Sequence, residues 1–351
     1  MRPLTVFMTN IELTNWRGAQ IVLRDFAVAL KRRGHRPVVW ASYPGYASDQ
    51  YRKLGIEVVD HPADLAKPPD IIQGQHNLPT AAALASYPGV PAILLCHSTE
   101  WADQPLHLDR IWRYVTVDRK RQEFLIKRHG IDPARLAILP NAVDLTRFRP
   151  RGTALPARPS RAMAFTKFSG HVGLLKSVCT GRGMVFDSII GGVGETDPEP
   201  EHTLREQHVV FATGRSALEA ACAGAAVIAA DRRGVAGMVT TRNMRVLRKG
   251  NFGSLALIRP VTSEIIAQEL DKYDPGDAAE VTRWLREDAD LEDATDHIEA
   301  LYEGALAAGF PQRWTDDDRR GFAALLNAWP APPDWPEKER DVILAAVARN
   351  R

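Results

Sequence analysis

Short apolar runs recur along this chain, each closed by a turn residue and each followed by a stretch with helical spacing. The densest case is 208–231. An apolar run at 209–212 ends in Thr213 and Gly214, an amphipathic stretch at 215–222 stops at Gly224, and a second apolar run at 225–230 closes on Asp231. Unbroken apolar runs bounded by glycine read as buried strands, and the 3.6-residue spacing between them reads as a helix. Strands joined through a helix are parallel, so the turn at Gly214 falls on the carboxyl edge of a sheet. Open α/β sheets take their ligands at that edge. A helix N-terminus there offers N–H groups to a phosphate. Arg215 and Ser216 add side-chain donors, and Glu219, one turn further in, reaches for the hydroxyls of a sugar or ribose.

The same alternation runs through both halves. Strands are predicted at 4–8, 37–41, 57–59, 70–73, 91–96 and 114–117, with a loop at 9–18 that carries Asn10, Glu12, Asn15 and Trp16. A helix over 19–33 places Val22, Phe26, Ala29 and Leu30 on one face. Its last turn holds Lys31, Arg32 and Arg33, with Gly34 as the stop. A proline-started helix is predicted at 79–86. His76 and Asn77 follow one strand end, and His97, Ser98 and Thr99 follow another. A histidine at a strand end is either a ligand contact or simply bonded within its loop. The proline- and arginine-rich stretch 151–160 reads as a linker. Beyond it, strands at 162–166 and 185–190 precede the 208–231 unit, and 231–239 reads as a further loop at the ligand edge. Residues 261–310 are largely helical. The expected domains are 1–150 and 151–310, with a tail at 311–351 packing across both.

A chain of 351 residues accommodates two such domains. Hydrophobic residues at 45% and charged residues at 25% are ordinary for a globular protein, and a net charge of +2 is too small to point to nucleic acid. Cys96, Cys179 and Cys222 lie far apart without metal-ligand spacing, as isolated thiols in a reducing compartment do. The first strand starts near Met1, leaving no room for a signal peptide, and no apolar run reaches the ~18 residues of a membrane span. A cytoplasmic protein is expected. The basic helix with Arg119, Lys120, Arg121, Lys127 and Arg128 is either a solvated face or a surface for phospholipid or an anionic acceptor. Thr315 followed by Asp316, Asp317 and Asp318 invites a metal reading, but a capped helix start with acids in its first turn accounts for the run better.

Three segments carry a resemblance. Gly-Arg-Ser-Ala-Leu-Glu-Ala-Ala-Cys-Ala-Gly-Ala-Ala-Val-Ile at 214–228 resembles the donor-binding segment of glycosyltransferase family 4, which has the GT-B fold. Pro140-Asn141-Ala142-Val143-Asp144 with Phe148-Arg149-Pro150 looks like that family's interdomain signature, with Ala142 in place of the usual glycine. Gly18-Ala19-Gln20 and the helix and strand after it look like its opening βαβ unit. The resemblance implies an α/β protein of the GT-B class: two Rossmann-like domains facing across a cleft, with a C-terminal helical tail.

It also implies roles. Glu219 would hold the nucleotide ribose and His97 the donor sugar, while Gly214, Arg215, Ser216 and Lys167 would meet the diphosphate. Gly18, Gly191 and Gly192 would let the donor approach the backbone. The family often has a second glutamate eight positions before Glu219, where this chain has Phe211. The implied activity is retaining, metal-independent transfer of a hexosyl group from a UDP- or GDP-sugar to a glycan or lipid-linked acceptor, in cell-surface glycan or polysaccharide synthesis. The donor is a substrate and no cofactor is implied; peripheral contact with the inner membrane face is compatible. Two rivals share the fold: a nucleotide-sugar epimerase and a non-catalytic nucleotide-sugar-binding protein.

Overall fold

The computed structural model describes residues 1–191, 199–253, 256–311, 313–327 and 341–345. The chain divides into two units, Met1–Leu139 with Thr295–Arg351, and Pro140–Ala294. Each is a Rossmann-like α/β domain.

In the first unit the strands are β1 (Thr5–Glu12), β2 (Arg36–Tyr43), β3 (Glu57–Val59), β4 (Ile71–Gln75), β5 (Ala92–Cys96), β6 (Ile111–Thr116) and β7 (Leu136–Ile138). The helices are α1 (Gly18–Arg32), α2 (Tyr46–Lys53), α3 (Asn77–Ser86) and α4 (Arg119–His129). All seven strands are parallel, in the order β3-β2-β1-β4-β5-β6-β7. β1 outruns the predicted strand, because Asn10 and Glu12 pair with Ala41 and Tyr43 of β2. The Asn10 amide meets the side chain of Gln75 at 3.1 Å, so a polar residue is satisfied inside the ladder. α3 starts two residues before Pro79.

The second unit holds β8 (Arg161–Thr166), β9 (Val185–Ile190), β10 (Val209–Ala212), β11 (Ala226–Asp231) and β12 (Gly234–Met238). Its helices are α5 (Val172–Gly181), α6 (Pro200–Glu206), α7 (Arg215–Cys222), α8 (Met244–Lys249), α9 (Ser263–Leu270) and α10 (Pro275–Asp288). The sheet order is β12-β11-β10-β8-β9, parallel except for β12. β12 replaces most of the loop anticipated at 231–239, leaving only Arg232 and Arg233 as the turn. Successive residues of β10 enter two different cores: Val210 and Ala212 pack with α7 and α10 on one face, Val209 and Phe211 with α5 and α9 on the other. A sheet covered on both faces explains why its strands read as unbroken apolar runs.

Residues 140–150 belong to the second unit, ahead of the linker that composition suggests. The Val143 N–H donates to Ala289 and the Val143 carbonyl accepts from Leu291. Ala142 is absent from the left-handed residues, as its replacement of glycine predicts. The chain then runs through α11 (Leu291–Ala308) and α12 (Asp316–Asn327). The described part of the tail packs in the first unit, where Trp314, Phe322 and Ile343 join the core around β5 and β6. Trp329, Trp335 and the proline-rich 330–336 lie outside the described residues.

Candidate functional site

From β8 the chain goes to β9 on one side, then returns to the other side for β10, so the strand order of the second sheet reverses between β8 and β10. Ligand crevices form at the carboxyl ends of strands at such a reversal. Here the loop 167–171 and the turn Thr213-Gly214 flank it.

That turn is held from outside. Gly214 has φ +61° and ψ −135°, a backbone that side chains disfavour, and its N–H donates to the Phe252 carbonyl at 2.9 Å. Phe252 and its neighbour Asn251 are themselves left-handed, each at φ 50°. The Asn251 side-chain oxygen accepts from Arg248 at 3.1 Å and from the Asn141 N–H at 3.2 Å. Non-glycine residues keep such a conformation only where their surroundings dictate it. With glycine at its N-cap, α7 begins without a side-chain cap, so its first N–H groups remain available to an anion.

On α7, Arg215 Nε lies 2.7 Å from Glu219 Oε1, and Glu219 is 3% exposed. Ser216 is half-buried beside them. Lys167 is exposed just past β8, and Gly191 follows β9 with room at its Cα, the nearest atom to an added Cβ being Thr166 O at 3.9 Å. Gly192 lies outside the described residues. Lys176 faces solvent on α5.

Asp231, at the end of β11, organises the edge and is easily missed in the sequence. It is 1% exposed and accepts from Thr213 Oγ1 at 2.9 Å, from the Arg233 N–H at 2.8 Å and from Arg233 Nε at 3.0 Å. Burial works to raise its carboxyl, yet the bonds from Arg233 and Thr213 outweigh burial and hold it below the ordinary aspartate range. Arg232 lies 4.1 Å over the Phe168 ring, tying the turn after β11 to the loop after β8. The only hint in sequence is a charged residue closing an apolar run.

Phe211 has a simple explanation. It is fully buried in the middle of β10, paired with Ile228 and Ala164. Its ring packs in the core with α5 and α9.

In the first unit the reversal falls between β1 and β4. Gly18 opens α1 and is not among the left-handed glycines, so its backbone does not demand glycine. His97 follows β5: its N–H donates to Asp103 at 3.4 Å, its carbonyl accepts from Arg121, and Ser98 Oγ donates to Asp103 at 2.5 Å. His76, at the end of β4, sits at the reversal itself with φ 64°. Its Nδ1 accepts the Ile11 N–H at 3.2 Å. Burial pushes the ring below the usual histidine range, against Asp103, Glu12 and Glu100, so it is a neutral imidazole with its proton on Nε2. On α4, Arg119 and Lys127 pair with Glu123, and Arg121 with Asp118.

In the tail, Asp318 is fully buried against Arg110, with Nε at 3.1 Å and Nη2 at 3.0 Å from Oδ2. The same oxygen accepts the Thr315 N–H at 2.8 Å while Thr315 Oγ1 accepts the Asp318 N–H at 3.0 Å. This is a reciprocal helix cap. No helix among the described residues is long and apolar enough to cross a membrane.

The model of glycosyltransferase family 4 matches residues 16–147. No curated protein matches the chain. Among solved structures, the Anabaena protein HepE with UDP-glucose superposes with a TM-score of 0.63 at 12% identity, over 86% of this chain and 100% of that one. A glycosyltransferase from Rickettsia africae gives 0.62 at 12% identity, over 87% and 99%. A protein provisionally assigned as a UDP-N-acetylglucosamine 2-epimerase from Listeria monocytogenes gives 0.56 at 12%, over 86% and 96%. At this identity the likeness is one of fold: two Rossmann-like domains of the GT-B type.

Proposed function

We propose that the protein is a glycosyltransferase that moves a sugar from a UDP- or GDP-sugar to a hydroxyl of a glycan or lipid-linked acceptor. The observation that carries this reading is the reversal point of the second sheet. There a left-handed glycine turn, an uncapped helix start, Lys167, Arg232 and the Arg215–Glu219 pair gather at one edge. A diphosphate suits the cations and the helix N-terminus. A ribose suits the carboxylate of Glu219.

In this reading Lys167, Arg215 and the head of α7 stabilise the charge that develops on the departing diphosphate. Such stabilisation needs no metal. His97 contacts the sugar, and Gly18 lets substrate approach the first unit's edge. The known binding of UDP-glucose by HepE, a protein of the same fold, supports a nucleotide sugar as donor. The protein then works in the cytoplasm, at the inner membrane face if its acceptor is lipid-linked.

The test is thermal unfolding with UDP, GDP, ADP and their sugar conjugates, followed by turnover with mixed acceptors. A ligand at about a hundred times its dissociation constant adds about 2.7 kcal/mol. Transfer to an acceptor upholds the reading. Donor isomerisation without acceptor replaces it with an epimerase, and binding without turnover replaces it with a binding protein.

A further inference from the structure

His171 closes the loop from β8 and stands at the head of α5, 4% exposed. Neither Nδ1 nor Nε2 has a hydrogen-bond partner among the described residues. Buried polar atoms without partners are uncommon in native proteins and ask for a reason. The position supplies one. His171 ends the 167–171 loop that flanks the strand reversal and is the N-cap residue of α5, and the charge acting on it is that of Asp231, which bonds Thr213, the residue before Gly214. Asp231 does not serve as its partner, because its oxygens are taken by Thr213 and Arg233.

We propose that His171 binds the diphosphate of the nucleotide sugar, as a neutral imidazole that takes a proton from solvent when the anion seats. This rests on the nucleotide-sugar reading of the second unit, and adds to it a named residue and a proton. Other charges on neighbouring elements are paired with one another or exposed at the surface. Arg233 holds Asp231 at 2.5 Å, Glu269 on α9 holds Arg259 and Lys272 at 2.7 Å each, and Asp187 on β9 meets Arg161 at 3.3 Å. Lys167, Lys176, Arg232 and Glu264 are exposed. Burial holds the ring below the ordinary histidine range, with Asp231 opposing it, so the empty site carries a neutral histidine near neutral pH. An anion against the ring favours the protonated form. The complex therefore holds a proton that the free protein lacks, and affinity rises as pH falls.

Calorimetric titration tests this on the intact chain with UDP-, GDP- and ADP-glucose, in two buffers of different ionisation enthalpy. A phosphodiester of this kind has no group that titrates between about pH 6 and about pH 8, so protons taken up belong to the protein. The expected result is net proton uptake by the wild type and an affinity several-fold higher at about pH 6 than at about pH 8. His171→Gln and His171→Asn, checked for an unchanged unfolding profile without ligand, should bind more weakly and lose both the uptake and the pH dependence. Binding by the wild type without proton uptake overturns the role of His171 and leaves the nucleotide-sugar reading standing. Binding of none of the three overturns the nucleotide-sugar reading itself.

Discussion

Arg215 Nε and Glu219 Oε1 are 2.7 Å apart across one turn of α7, with side chains only 11% and 4% exposed. The pair places a guanidinium and a carboxylate at the head of the helix that a ligand would meet, each fixing the other's rotamer. Glu219→Ala should lower nucleotide-sugar affinity by about tenfold or more, and Arg215→Ala by a similar factor. Because each residue holds the other, the double variant should lose less than the product of the single losses. Titration calorimetry on all four proteins reads this out. Unchanged affinity in Glu219→Ala removes the residue from the site.

Gly214 should resist substitution for reasons of backbone alone. A Cβ there meets nothing closer than Asn251 O at 4.0 Å, so space is not the obstacle. The obstacle is φ +61° with ψ −135°, and Gly214→Ala should cost about 1–3 kcal/mol in urea unfolding. If the turn relaxes to relieve that strain, the N–H bond to Phe252 is lost and nucleotide affinity falls with it.

Asp231 predicts an acid-sensitive edge. Its carboxyl is held below the ordinary range when folded, so its contribution is complete above the unfolded-state value of about 3.9 and is lost as pH falls through the lower folded value. Asp231→Asn should therefore lower stability at neutral pH by about 1–3 kcal/mol. It should also flatten the fall in stability below about pH 4. Unfolding midpoints measured across that range check both. A variant as acid-sensitive as the wild type would assign the effect elsewhere.

Arg110 and Asp318 form an ion pair withdrawn from solvent, at 1% and 0% side-chain exposure. Removing one partner strands a buried charge, so Asp318→Ala or Arg110→Ala should destabilise the protein by about 3–5 kcal/mol. The acidic run at the start of α12 is thereby given a structural job. A chelator should change neither the unfolding midpoint nor turnover, and a midpoint that drops with chelator would bring back a metal at these aspartates.

Local patterning placed most of the elements. The strand at 209–212 and the helix at 215–222 stand where the sequence puts them, since each is a short segment whose apolar face and bounding glycine lie in adjacent residues. The same legibility covers Gly214, Arg215, Ser216 and Glu219, which travel together on one strand–turn–helix unit. Polar strand ends were harder. Asn10 and Glu12 read as loop because their hydrogen bonds go to β2 and to Gln75, partners that no local window contains. β12 read as loop because Gly234 and Gly237 interrupt it. Gly234 is required by the Leu257 carbonyl, which would lie 2.5 Å from any Cβ there.

Sequence by itself determined the α/β class, the two-domain plan and the strand–turn–helix unit around Gly214, because periodicity, glycine stops and short connections are properties of neighbouring residues. Only the tertiary structure decided how that edge is wired. It brought Thr213 and Arg233 to Asp231, put His171 within its field, propped Gly214 on a strained Asn251-Phe252 pair, and sank Phe211 into the core. Each of these relations depends on which strands pair and on which face a residue points, and those are settled by burial and hydrogen bonding across the whole sheet.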